Sequence, residues 1–133
     1  MKYETLEAAA KAGVAPWDLK VKELSDFHVA VFQDRFPVAT GHLLFVPMYN
    51  NGNMIKDCFS SAYYHGTKMV ESGEWEAFNV GLNMGKAAGQ TVMYPHIHLI
   101  PRKIGDCADP VGGVRSVIFG QANYKSGGYK LPD

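Results

Sequence analysis

Residues 88–102 read AGQTVMYPHIHLIPR and place His96 and His98 one residue apart, directly behind Gly89, Gln90 and Thr91. In an extended strand, residues two apart point the same way. Tyr94, His96 and His98 therefore share one face and Pro95, Ile97 and Leu99 the other, with same-face neighbours roughly 6.5–7 Å apart. One face is titratable. A histidine, with an unperturbed pKa of about 6.5, can act near neutral pH as a nucleophile, a base or a metal ligand without a large shift. Upstream, Gly89 permits close backbone approach, while Gln90 and Thr91 add side-chain donors and main-chain N–H groups, a set suited to a phosphate oxygen. Fixed donors beside a nucleophilic imidazole are what phosphoryl or nucleotidyl transfer needs, because positioning and charge stabilisation supply most of the catalysis.

Two other readings of the pair stay open on these residues alone. Histidines on a strand are often structural or simply face solvent. A His-x-His pair can also hold zinc, which needs three protein ligands in a catalytic site and four in a structural one. His28, His42 and His65 are the remaining histidines, and no spacing singles one out. Cys58 and Cys107 are far apart in sequence and match no CxxC pattern, so both read as free thiols rather than as a disulfide or a zinc site.

The elements that must carry these side chains follow from periodicity and punctuation. YETLEAAAKAG suits a short helix stopped by Gly13, with Pro16 beyond it. FHVAVF predicts a strand over 27–32, and HLLFVP, behind Gly41, a second over 42–47; the short spacer makes them an antiparallel pair. Asn53 is placed to cap a long helix running to Ser72, in which Met54, Ile55, Cys58, Phe59, Ala62, Tyr63, Met69 and Val70 recur at helical spacing. WEAFNVGLN and YPHIHLIPRKI alternate and predict a third and a fourth strand, with GKAAGQ as the loop between them. VRSVIF reads as a further short strand and SGGYKLPD as a tail. The result is an α+β domain, a meander of antiparallel strands with one long helix on a face and a short N-terminal helix.

With 133 residues, 47% of them hydrophobic, the chain can bury one core and is short for two domains. Thirteen basic and thirteen acidic residues cancel, so no overall field draws in nucleic acid or an anionic membrane, and an anionic ligand must be held by local geometry. The longest apolar runs, such as Leu43 to Met48, fall far short of the roughly 20 residues that cross a bilayer, and the N-terminus shows no apolar signal core. The expectation is a cytoplasmic protein.

Taken in order, these segments resemble the histidine-triad (HIT) superfamily of nucleotide hydrolases and transferases. GQTVMYPHIHLIPR is similar to its His-x-His-x-His signature, with the Gly-Gln-Ser/Thr-Val lead and the Pro-Arg close, and with Tyr94 where the first histidine would stand. FQDRFPVATGHLLFVP resembles the family's strand pair with its Asp-containing turn and Gly-His segment. FNVGLNMGKAAGQT resembles the following strand with its Asn-containing loop, and DPVGGVR a segment common in bacterial members. The likeness covers residues 27–118. It implies a single HIT-like domain over 1–133, with a tail over about 119–133, in a homodimer.

The resemblance also implies roles. His96 would attack the α-phosphorus of a nucleoside phosphate derivative and form a nucleotidyl-histidine, oriented through Nδ1–H by the backbone carbonyl of Tyr94. His98 and His42 would complete the catalytic set near the phosphates and leaving group. Gly89, Gln90, Thr91 and Asn83 would bind phosphate, and Asp34 the ribose hydroxyls, a vicinal diol that a carboxylate suits. The implied substrate is a purine nucleotide, either a dinucleoside polyphosphate or a nucleoside phosphoramidate. No cofactor or resident metal is required, Mg²⁺ entering only with the substrate. Two alternatives accompany hydrolysis. Pro95–His96 resembles part of the His-Pro-His motif of the nucleotidyltransferase branch, although that branch consists of longer chains with Gln where this sequence keeps His98. Tyr94 suggests a nucleotide-binding or regulatory protein with weak catalysis. Arg102 and Arg115 read as surface or structural residues.

Overall fold

The computed structural model describes residues 2–17, 19–125, 127 and 129–132. It divides into two compact units, Met1–Arg102 and Lys103–Asp133.

In the first unit, α1 (Leu6–Lys11) is capped by Thr5, whose hydroxyl accepts the amide of Ala8 at 3.0 Å. β1 (Val29–Gln33) and β2 (Leu43–Pro47) pair antiparallel from Val29↔Pro47 to Gln33↔Leu43. α2 (Gly52–Glu71) follows, then β3 (Ala77–Leu82) and β4 (Ile97–Arg102). The sheet order is β1-β2-β4-β3, with every pair antiparallel. It is therefore not the meander read from the sequence. The α2 crossover carries the chain past β2 and leaves a gap that β4 fills, burying Ile97 and Leu99 completely in the middle of the sheet.

Strand alternation sorts the core into two layers. Val29, Val31, Leu43, Phe45, Ile97 and Leu99 meet Cys58 and Ala62 of α2. One turn further, a Cβ built on Gly66 would lie 2.8 Å from the Phe78 ring, so only glycine lets helix and β3 approach this closely. On the opposite face Ala30, Phe32, Leu44, Val46 and Tyr94 meet Leu6, Ala9 and Ala15. The N-terminal segment then runs beside β1, with Gln33 N donating to Leu19 O at 2.9 Å and Val21 N to Val31 O at 2.7 Å.

Several boundaries differ from the sequence expectation. The cap of α2 is Asn51, in extended conformation and accepting Met54 N at 2.9 Å; Asn53 lies inside the first turn. β1 begins at Val29 because the Asp26 carboxylate gathers the amides of His28 and Val29 into a turn at 2.8 and 2.9 Å. β4 begins at Ile97, so Tyr94 and His96 precede the strand.

In the second unit VRSVIF is not a strand. Gly112 and Gly113, at φ of +88° and +45°, wind the chain into a 3-10 turn over Gly113–Val117. Of the expected tail 126–133, Ser126, Gly128 and Asp133 lie outside the described residues, and Tyr129 packs 5.7 Å from the Arg115 guanidinium. Among the described residues no helix is long and apolar enough to cross a membrane.

Candidate functional site

A bend over residues 92–94 leads into β4 and sends neighbouring groups in opposite directions. The Tyr94 side chain enters the core, fully buried, and its hydroxyl donates to Pro47 O at 2.7 Å. Its carbonyl accepts Nδ1–H of His96 at 2.9 Å. That carbonyl fixes both the ring and the tautomer of His96, leaving an Nε2 lone pair. His96 and His98 line a cavity of about 300 Å³, a size that suits one small ligand. Asp34, Asn83 and Thr91 line it too, as do Gly89 and Gln90.

His42 does not line this cavity. It stands behind His98, only 4% exposed, with Nε2 2.9 Å from His98 Nδ1 and the two rings 5.1 Å apart. Its Nδ1 accepts the amide of Val38 at 3.2 Å. Asp34 closes the group: one carboxylate oxygen accepts Phe36 N at 2.8 Å, and the other lies 3.4 Å from His42 Nε2 and 3.9 Å from His98 Nδ1. Asp34, expected at the ribose, thus also sets its charge against the histidine pair.

Gly89, at φ +91°, turns the loop ahead of β4. Gln90 is buried, and both ends of its amide are used within the loop: Oε1 accepts Gly85 N at 2.8 Å and Nε2 donates to Val92 O at 3.1 Å. Its side chain shapes the loop, which leaves Thr91 exposed at the rim. Arg102 donates to Asn79 at 2.6 Å across the β3–β4 ladder, while Arg115 sits in the second unit.

The electrostatics favour neutral imidazoles. Burial lowers the pKa of His96 against the opposing effects of the Tyr94 carbonyl and the Asp34 charge. Burial also lowers His42 against Asp34. His98 falls furthest, to about 4, because burial is joined by repulsion from His96 and His42. The direction is the same for all three, toward the uncharged ring, and for His96 it favours a free electron pair on Nε2.

One residue of the site lies outside every motif. The Trp17 ring packs 5.0 Å from His96 and 5.9 Å from Phe32, and it forms a wall of the cavity with Pro16. Arg35, in the turn after β1, donates to Pro16 O and so ties this wall to the Asp34 turn. No periodicity or spacing marks Trp17, since its place is set by the pairing of Leu19 and Val21 with β1.

Asp34, His42 and His98 each offer one ligand atom within 4.8 Å of the others, and they are the group among the described residues that could be drawn around a cation. The donor set does not fit one. The Val38 amide can only donate, so His42 carries its proton on Nε2, the atom that would have to bind the metal. A metal-bound histidine normally donates from its second nitrogen, and here that nitrogen accepts. His28 pairs with Asp57, and His65 packs edge-on against Trp75, so neither joins the group.

The chain is similar to known proteins in sequence and in fold. The HIT domain family model matches residues 20–105. The chain is 33% identical over 88 residues to Protein hit of Bacillus subtilis, covering 61% of each chain. It is 35% identical over 75 residues to adenosine 5'-monophosphoramidase HNT1 of Saccharomyces cerevisiae, covering 54% of this chain and 48% of that one. It is 30% identical over 87 residues to the asymmetrical bis(5'-nucleosyl)-tetraphosphatase of Schizosaccharomyces pombe, covering 60% and 48%. The chain thus spans less than two thirds of the length of these curated relatives. Among solved structures, a HIT family protein from Bacillus anthracis superposes with a TM-score of 0.59 at 28% identity, covering 77% of this chain and 75% of that one.

Proposed function

We propose that this chain, which belongs to the HIT domain family, is a nucleotide hydrolase that works at the α-phosphate of a nucleoside phosphate derivative through His96. The observation that carries the reading is the setting of His96: Nδ1 is committed to the Tyr94 carbonyl, burial favours the neutral ring, and the ring lines a cavity of about 300 Å³ beside His98 and Asp34.

In this reading Nε2 of His96 attacks phosphorus, the new P–N bond forms as the bond to the leaving group breaks, and His98 hydrogen-bonds the departing atom. Water then attacks the same phosphorus, the P–N bond breaks with its electron pair returning to His96, and the proton lost from the water passes to solvent, balancing the charge of the group that left. Splitting one displacement into two lets the same buried donors serve both halves. Tyr94, which takes the place of the first motif histidine, retains the one group the nucleophile needs, its carbonyl.

The relatives support cleavage next to a nucleotide, since one is named for a phosphoramidate and another for a tetraphosphate. Those substrates share the nucleoside phosphate and differ in what leaves. A purine nucleotide, no required cofactor, a homodimer and a cytoplasmic location complete the proposal. The test is rapid quench of the full chain with diadenosine polyphosphate or adenosine phosphoramidate, followed by intact and peptide mass measurement. A nucleotidyl adduct on His96 is the expected result; turnover without any adduct, at quench times shorter than one cycle, would refute the covalent route.

A further inference from the structure

We infer that His42 is a positioning residue that holds His98 in the Nε2–H tautomer, so that His96 and His98, two residues apart, carry opposite tautomers. Two backbone groups here have no choice of role. The Val38 amide can only donate, and it donates to His42 Nδ1 at 3.2 Å. A neutral imidazole has one proton, which must then sit on His42 Nε2. That atom faces two acceptors, His98 Nδ1 at 2.9 Å and an Asp34 carboxylate oxygen at 3.4 Å. Nδ1 of His98 therefore receives a hydrogen bond, and its own proton is displaced to Nε2. The Tyr94 carbonyl can only accept, so His96 carries its proton on Nδ1, 2.9 Å away.

The two histidines are thus set through different routes to opposite states. His96 keeps an electron pair on Nε2 and His98 keeps a proton there. One can form a bond to phosphorus while the other donates to an oxygen or nitrogen of the substrate. Exchanging the tautomers would remove both abilities at once. His42 is buried and off the cavity wall, so it acts through His98 and not on the ligand. Asp34 beside the shared proton favours the same arrangement, and the amide of Phe36 holds its carboxylate in place at 2.8 Å.

The catalytic meaning rests on the function proposed above; the tautomers do not, and they are measured without nucleotide. Long-range ¹H–¹⁵N correlation spectra of the full ¹⁵N-labelled chain at neutral pH read the proton position on each ring. The expected spectrum has His96 as the Nδ1–H form and both His42 and His98 as Nε2–H forms, assigned by single-histidine substitution. His42→Phe should release His98 to a mixture of tautomers while His96 stays unchanged. His42→Gln, whose amide N–H can still reach His98 Nδ1, should restore the Nε2–H form. Turnover should follow the same order, with kcat reduced roughly 10²-fold in the Phe variant, largely regained in the Gln variant, and KM little changed. Wild-type His98 protonated on Nδ1, or a His98 signal indifferent to both substitutions, would overturn the inference. If His42→Phe does not fold, the wild-type spectrum and the Gln variant decide it. The expected tautomers with no turnover of any nucleotide would refute the proposed function and leave the tautomer inference standing.

Discussion

The sheet is covered differently on its two faces. Against one, α2 lays a stripe of small residues, Cys58, Ala62 and Gly66, and each is buried. Against the other, α1 and the residue Ala15 cover only part of the surface, over Ala30, Leu44, Val46 and Tyr94. Where that cover ends, at Pro16 and Trp17, the cavity over His96 and His98 begins. The helix face is packed for stability, and the other leaves room for a ligand. The site is the unsealed remainder of a core layer, which is why His96 and His98 are buried enough to favour the neutral form yet line a cavity.

The largest expected effect separates chemistry from packing. His96→Ala should lower turnover on the order of 10⁴-fold or more while leaving nucleotide binding largely intact. Its stability cost should be only about 1 kcal/mol, for the hydrogen bond lost to the Tyr94 carbonyl. Steady-state kinetics beside urea denaturation measure both; turnover near the wild-type rate would remove His96 from the role of nucleophile.

Tyr94 joins the two functions of the site face and should behave in the reverse way. Tyr94→Ala empties a fully buried aromatic position and should cost about 3–5 kcal/mol. Tyr94→Phe removes only the hydrogen bond to Pro47 O and should cost about 1–2 kcal/mol, with adduct formation on His96 retained. Loss of adduct in a folded Phe variant would show that the phenol, and not only the carbonyl, serves the nucleophile.

The two faces were not equally legible. The helix face was readable because its signals are local: the spacing of Cys58 and Ala62 gave α2, and only the cap moved, to Asn51, since two nearby asparagines offer the same side chain. Composition and alternation pointed to the four strands of the sheet, although Tyr94 and His96 fall just before β4 and VRSVIF is a 3-10 turn, but strand order depends on which strand fills the gap beside β2, which no local pattern states. On the site face, likeness to a family pointed to His96, His98, Asp34 and Asn83, all of which line one cavity. It did not disclose that Gln90 spends its amide on its own loop, that His42 stands behind His98, or that Trp17 forms a wall. Those are long-range facts fixed by how the turn after β1 and the N-terminal segment fold back.

The helix face is tested by Gly66→Ala. The added methyl gains about 1 kcal/mol of helix propensity, but it meets the Phe78 ring at 2.8–2.9 Å, too close without displacement. Overpacking of this kind costs about 1–3 kcal/mol, so the net effect should be a loss of roughly 1 kcal/mol. The kcat of the folded variant should match wild type, measured well below the melting transition. Stabilisation would mean that α2 and β3 have slack between them and that the helix face is packed no more tightly than the site face.

The smallest effect is in pH, and its sign follows from the direction of the shifts. In the unfolded chain each histidine takes its proton near the ordinary value of about 6.5. In the folded chain His98 waits until about 4, chiefly because it is buried and secondly because His96 and His42 repel its charge. Between those values the unfolded state binds more protons, so stability falls as pH falls and stops falling below the folded value. From pH of about 7.5 to about 6 the loss from His98 should be roughly 1 kcal/mol. His96 and His42 are also lowered, mainly by burial, and add to the loss in the same direction. On α2, burial lowers His65 alone, with Glu74 opposing it. Acid sensitivity should therefore belong mostly to the site face: His98→Gln should flatten the dependence of the urea midpoint on pH more than His65→Gln does. A midpoint that rises on acidification, or a His65→Gln variant that flattens it more, would mean that the site-face imidazoles are not the ones held neutral by the fold.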